Sequence, residues 1–218
     1  MKAEVVELPL FPLNVVLFPG QTLPLHIFEP RYRVMIQRCI DNDQPFGIVL
    51  AQSEDGTPHT VGTAARITQV ERLPDGRMNI VTVGTERFEL KNVRMSEDDY
   101  LIADVLPYPF KNDVEEKSDL QIIVSALLGR YLKLLGEISG VEVKTRHLPG
   151  DPTALAVFAA IAMQLPLDDK QELLNMESVA DLLAMETDLL DDELFTMSIM
   201  SAAIRPPDIE SGFIFSVN

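Results

Sequence analysis

The chain has 218 residues, 46% of them apolar and 24% charged, a balance that can bury a sizeable core and excludes bulk disorder. Eighteen Lys and Arg stand against 34 Asp and Glu, and the net charge of −16 opposes non-specific contact with nucleic-acid phosphates or an anionic membrane. The single cysteine, Cys39, has no internal disulfide partner and falls on a helical apolar stripe, so a reducing compartment and a small buried hydrophobe are expected of it rather than a nucleophile.

The first residues, MKAEVVELPLFPLNVV, lack the charged-then-apolar layout of a signal peptide. No apolar run approaches the roughly 18 residues that span a bilayer. The expected setting is cytoplasmic. From Val5 to Leu106 short apolar runs alternate with turn chemistry at Pro19-Gly20, Asp55-Gly56, Pro74-Asp75-Gly76 and Gly84, the texture of a β-rich half. FGIVLAQ and VGTAARITQV read as strands. ERLPDGRMNIVTVG reads as a hairpin whose Asp-Gly supplies the positive φ of a tight turn. ERFELKNV, with Phe88 and Leu90 on one face, and YLIADVLPY are expected as further strands of a small barrel or folded sheet.

One helix interrupts this half, from about Pro30 to Ile40, with Tyr32, Met35, Ile36, Cys39 and Ile40 on its apolar stripe. Pro30 suits the first turn, and Glu29 is placed to cap the positive end of the helix dipole. Arg31 and Arg38, seven apart, share a face. A Pro- and charge-rich joint, LPYPFKNDVEEKSD, then separates residues 1–110 from residues 111–218. The first part carries 10 basic and 15 acidic side chains and the second 8 and 19, which points to two modules.

Beyond the joint the period changes to three and four. Leu120, Ile123, Leu127, Tyr131 and Leu134 mark one amphipathic helix. A second opens with Asp151 as N-cap and Pro152 behind it, and carries Leu155, Phe158, Ile161 and Leu165. A third is expected from Asp168, with Gln171 at capping-box spacing, and a fourth from Ser178, with Asp181 three on. The last runs through Leu182, Leu183, Leu190, Leu194 and Met197 to Pro206-Pro207. The expected class is therefore α+β, a barrel or folded sheet with one inserted helix followed by a C-terminal helical bundle.

Chemistry is hard to find. No phosphate-cradling G-x-x-x-x-G-K-[ST] and no G-x-G-x-x-G after a strand occurs, so no nucleotide cofactor is expected. His26, His59 and His147 are scattered and no H-E-x-x-H is present, so no metal is expected either. Asp188, Asp191, Asp192 and Glu193 have the look of a solvated helix face, lacking the loop that shapes a Ca²⁺ site. Ser125 and Ser139 lie near Lys133 and Lys144 in sequence, without a G-x-S-x-G elbow. The one basic concentration of the β-rich half is Arg31, Arg33 and Arg38, with Tyr32 beside it, a weak nucleic-acid signal against an acidic background.

Taken in order, LPLFPLNVVLFPGQTLPLHIFEPRYRVMI, FGIVL, GTAARITQVERLPDGRMNIVTVGTERFEL, YLIADV and IAMQLPLDDKQELLNMESVADLLAME closely resemble the amino-terminal, substrate-recognition domain of Lon ATP-dependent proteases. The resemblance spans about Leu8 to Leu190. It implies a PUA-like β fold followed by a helical bundle, and a non-catalytic binding module without the ATPase and Ser-Lys peptidase modules of a complete Lon protease. The implied ligand is an unfolded or degron-bearing polypeptide, with a separate AAA+ or protease partner as a variant. The stretch from Leu17 to Met35 holds more apolar surface than a helix start needs, so Phe18, Leu25, Phe28, Arg31 and Tyr32 are the candidate contacts. The other reading of these five is that they fill the barrel and brace the helix. RNA or small-ligand binding through the PUA-like fold, a hydrolase whose site converges only in three dimensions, and a homo-oligomer built on the last helix and the tail GFIFSVN stay open as alternatives.

Overall fold

The computed structural model describes residues 5–51, 59–140 and 148–204, with side chains to 199. Six strands and one helix make the first half: β1 (Val6–Leu13), β2 (Thr22–Ile27), α1 (Pro30–Asp41), β3 (Phe46–Leu50), β4 (Val61–Arg72), β5 (Met78–Met95) and β6 (Leu101–Pro107). Four helices follow: α2 (Asp119–Ser139), α3 (Pro152–Ala162), α4 (Leu167–Asn175) and α5 (Val179–Ile204).

The sheet runs β2-β5-β4-β3-β1-β6, and β6 pairs back onto β5. Five strands therefore close a hydrogen-bonded circuit, which leaves no open edge within it. β2 stands outside the circuit, paired to the first half of β5 from Thr22↔Val83 to Ile27↔Met78. Its Pro24, which lacks an N–H, is at home on a strand with one unpaired side. β1 and β3 are parallel, with Leu10 opposite Gly47, and parallel neighbours need a long crossover. β2 and α1 are that crossover, which is how a helix comes to lie in the β-rich half.

α1 packs on the sheet through Tyr32, Met35, Ile36 and Cys39, the expected stripe, while Ile40 is only half buried. Met35 and Ile36 are fully buried, each contributing about 1.5–3 kcal/mol of hydrophobic stabilisation. Glu29 occupies the N-cap position but makes no capping bond. Its carboxylate instead accepts Arg31 Nε at 3.0 Å, a correction to its expected role.

The expected hairpin is present, and Gly76 takes φ +82° at its turn. ERFELKNV is not a separate strand, however: β5 runs unbroken from Met78 through Met95. Gly84 punctuates nothing. A Cβ there would collide with the carbonyl oxygen of Phe18, because the chain at 18–21 crosses against the strand and exchanges Gly20 N–H to Gly84 O (2.8 Å) and Gly84 N–H to Gln21 O (2.9 Å).

In the bundle, Ser118 and Asp151 cap α2 and α3 with side-chain acceptors, and Ser178 Oγ accepts Asp181 N–H at 3.0 Å at the start of α5. α4 departs from expectation: it begins at Leu167 after Pro166, and Gln171 does not close a capping box. Its amide reaches Val61 O at 3.1 Å on β4 and so ties bundle to barrel. Leu127 and Tyr131 of the expected α2 stripe are buried, but the buried face is turned away from Ile123. Val124 and Leu128 are fully buried and Ile123 is 43% exposed, because α2 meets α3 and α5 along Val124, Leu128 and Tyr131.

The joint between the halves is built around Arg87 of β5, 3% exposed. Its Nη1 donates to Leu174 O and Met176 O, both at 2.6 Å, at the C-terminal end of α4, where a cation meets the helix dipole favourably. Phe110 covers the guanidinium at 3.2 Å and Tyr108 at 4.8 Å. Burial pushes its pKa down to about 10, still protonated at neutral pH. The stretch after β6 is therefore a clasp on Arg87 rather than a loose linker.

Candidate functional site

The outer face of α1 carries Pro30, Arg33, Val34, Gln37 and Arg38, spaced at three and four opposite the buried stripe. Facing it is the β4–β5 turn, with Arg72, Leu73, Gly76, Arg77 and Met78. Between them lies an open groove of about 620 Å³. The Arg33 guanidinium lies directly over the Cα of Gly76, where any Cβ would displace it. The glycine thus supplies both the left-handed turn and the space for a cation. Arg72 Nη2 donates to Gln37 Oε1 at 3.3 Å across the groove.

The four arginines differ in how they are compensated. Arg38 pairs with Asp98 at 2.5 Å and donates to Tyr100 Oη at 2.9 Å, and that hydroxyl, followed by Asp98, raises its pKa further. Arg77 pairs with Asp75 at 2.7 Å, and the Arg77 N–H and guanidinium hold the Asp75 carboxyl below its usual range. Arg33 and Arg72 make no ion pair among the described residues. The groove therefore presents two arginines without an ion-pair partner among the described residues, beside the apolar Pro30, Val34, Leu73 and Met78, on a chain of net charge −16.

The corner between β2 and α1 precedes Pro30, the first residue of the groove. Phe28 is 59% exposed and its ring stacks at 6.0 Å on the exposed His26, whose Nδ1 sits 2.7 Å from Asn79 Oδ1. Leu25 is half buried beside a second concavity of about 440 Å³ that crosses β2, β5 and β4. Arg31 is exposed, pairs with Glu29 at 2.9 Å and lies over the Tyr32 ring at 4.6 Å.

Of the five expected contacts, then, Phe28 and Arg31 are exposed and Leu25 is half buried, packed partly on the core beneath α1. Phe18 and Tyr32 are corrected to the interior. Phe18 is fully buried in the bundle-side core with Leu50 and Val61, and Tyr32 is 7% exposed, stacked at 4.1 Å on Phe11. Sequence reasoning missed Val34, Gln37, Arg72 and Arg77. The α1 residues were available from helical spacing, whereas the approach of Arg72 to Gln37 depends on a chain separation of 35 residues.

No group of three or more potential metal ligands converges among the described residues. Asp188, Asp191 and Asp192 are exposed on α5, and Cys39 is buried, its thiol pushed up to about 11 by that burial. His147, Lys144 and the tail GFIFSVN lie outside the described residues. No described helix is long and apolar enough to cross a membrane.

A closed β circuit with an inserted helix, clasped to a helical bundle, defines an α+β chain with an open groove lined by apolar and cationic side chains. The chain belongs to the family of the ATP-dependent protease La (LON) substrate-binding domain, whose model matches residues 7–192. It is 27% identical over 207 residues to the Lon protease of Escherichia coli (strain K12), covering 91% of this chain and 26% of that protein. It is also 27% identical over 192 residues to the Lon protease of Flavobacterium johnsoniae, covering 84% of this chain and 23% of that one. The chain thus spans about a quarter of the length of these relatives. Among solved structures it resembles a Lon N-terminal domain protein from Xanthomonas campestris (TM-score 0.66, 26% identity, 82% of this chain and 95% of that one). The N-terminal domain of the Mycobacterium avium complex Lon protease shares the fold (TM-score 0.66, 20% identity, 86% and 99%).

Proposed function

We propose that this chain is a non-catalytic recognition module that binds unfolded or degron-bearing polypeptide through the corner of β2 and α1, as an adaptor or regulator in proteolysis. The observation that carries the reading is Phe28, a large aromatic ring 59% exposed that stacks on His26, a residue lining the concavity across β2, β5 and β4. Exposed aromatics at the edge of a concavity are the residue type on which protein contacts concentrate their energy. Membership of a substrate-binding domain family supports it.

Residues 1–110 would supply the contact surface and residues 111–218 would brace it through the Arg87 clasp. A separate AAA+ or protease partner in a cytoplasmic setting, with or without self-association, is part of the same proposal. The test is binding of a labelled, permanently unfolded polypeptide to the wild type and to Phe28→Ala, with the fold of each checked by circular dichroism. Loss of the ring should weaken binding about tenfold or more, as truncation of an aromatic anchor does. Unchanged binding by folded Phe28→Ala would remove the corner from the account.

A further inference from the structure

The groove between α1 and the β4–β5 turn has a charge that the polypeptide-binding proposal does not require. A surface that merely held apolar clients would gain nothing from arginines on both walls. Here Arg33 and Arg72 stand on opposite walls without a carboxylate partner among the described residues, while Arg38 and Arg77 have Asp98 and Asp75. The same two walls carry Val34, 38% exposed, beside Arg33 and the half-buried Leu73 beside Arg72. Two guanidiniums without carboxylate partners, each beside an apolar lining residue, suit carboxylates flanking an apolar side chain, since Arg offers carboxylates a planar fork of donors and Arg72 spends only one of them on Gln37.

We infer that this groove selects acidic-apolar polypeptide segments, binding a client's Asp or Glu side chains at Arg33 and Arg72 while its apolar residue rests on Val34 and Leu73. The inference rests on the polypeptide-binding reading and names the client chemistry at that surface. A volume of about 620 Å³ is in the range of sites that enclose side chains of a ligand. The net charge of −16 sharpens the selection rather than cancelling it. At physiological salt the Debye length is about 8 Å, so the repulsion from distant acidic side chains is largely screened while pairs in direct contact persist.

The experiment compares two short peptides of identical apolar core, one flanked by paired Asp residues and the other by paired Asn, titrated against the full chain at about 0.15 M salt. The Asp peptide should bind about five- to tenfold more tightly, the yield of two partly exposed ion pairs. In the double variant Arg33→Gln/Arg72→Gln that ratio should fall to about one, and in Arg33→Glu/Arg72→Glu it should invert, with both variants checked for folding. Equal binding of the two peptides by the wild type would overturn the inference and leave polypeptide recognition standing. Failure of both peptides and of the unfolded polypeptide would remove that recognition, and the inference with it. A single-stranded oligonucleotide that binds more tightly than the Asp peptide and displaces it would assign the arginines to phosphates instead.

Discussion

Glu186 is the most exposing test of the bundle's energetics. It sits on α5 with no solvent exposure, both carboxylate oxygens lack a hydrogen-bond partner among the described residues, and it makes no ion pair there. Burial raises its pKa well above the ordinary value, opposed only by the backbone of Ala160. The folded state therefore holds a proton that the unfolded state releases near pH 4.5. Below that pH both states are protonated and burying this group costs nothing in ionisation, so its contribution to stability is fully present. Above it the native state binds more protons than the unfolded one, so stability falls as pH rises towards the raised folded pKa. Glu186→Gln has no proton to keep and loses that slope. The stability gap in favour of the Gln protein should widen by about 1.4 kcal/mol for each pH unit within the window. Urea unfolding of both proteins at intervals from about pH 5 to about pH 8 measures it directly. Parallel curves, with a gap that does not change with pH, would refute the assignment of a protonated carboxyl at this position.

Other outcomes follow from the clasp, the chain crossing and the thiol. Arg87→Lys replaces a fork that bridges two carbonyls beneath Phe110 with a single ammonium, and should cost about 2–4 kcal/mol in denaturant unfolding. A loss under about 0.5 kcal/mol would mean that the clasp is ornamental. Gly84→Ala drives a methyl into the Phe18 carbonyl oxygen and should cost about 1–3 kcal/mol, whereas Gly129→Ala, in α2 with open space where the Cβ would stand, should stabilise by about 0.5–1 kcal/mol. The opposite signs are read in one set of melting curves. Cys39, 1% exposed with its thiol pushed up to about 11, should react with an alkylating reagent only as the structure opens, at a rate that rises with urea. Rapid modification of the native protein would contradict its burial.

The elements most legible in the sequence were those fixed by local chemistry. Asp75-Gly76 and Asp151-Pro152 announce a turn and a helix start because positive φ, side-chain capping and a missing N–H act within a few residues. Tyr32, Met35, Ile36 and Cys39 announce a buried face because helical spacing is itself local. Gly84 misled for the complementary reason: glycine serves both turns and close chain crossings, and only the distant Phe18 tells which. Ile123 and Val124 are adjacent apolar residues of α2, and which of them faces inward depends on where α3 and α5 lie. Arg87 resembles any strand arginine until Phe110 and the end of α4 close on it.

The candidate site divides in the same way. The stretch from Leu17 to Met35 was recognisable as rich in apolar side chains, but not how they partition. Phe18 and Tyr32 turn into separate cores, while Phe28, at the corner where β2 ends and α1 has yet to begin, has no neighbouring layer to enter. Arg33 is on the exposed side of α1 by spacing alone. Its neighbour across the groove, Arg72, arrives through the hairpin and could not have been paired with it from the sequence.

The central claim is that an exposed corner of this chain recognises polypeptide, and its most direct measurement is the affinity of the folded wild type and folded Phe28→Ala for the same permanently unfolded polypeptide. Binding by the wild type that weakens about tenfold or more in Phe28→Ala is the predicted result. Equal affinities, or no binding by a well-folded wild type, would contradict it.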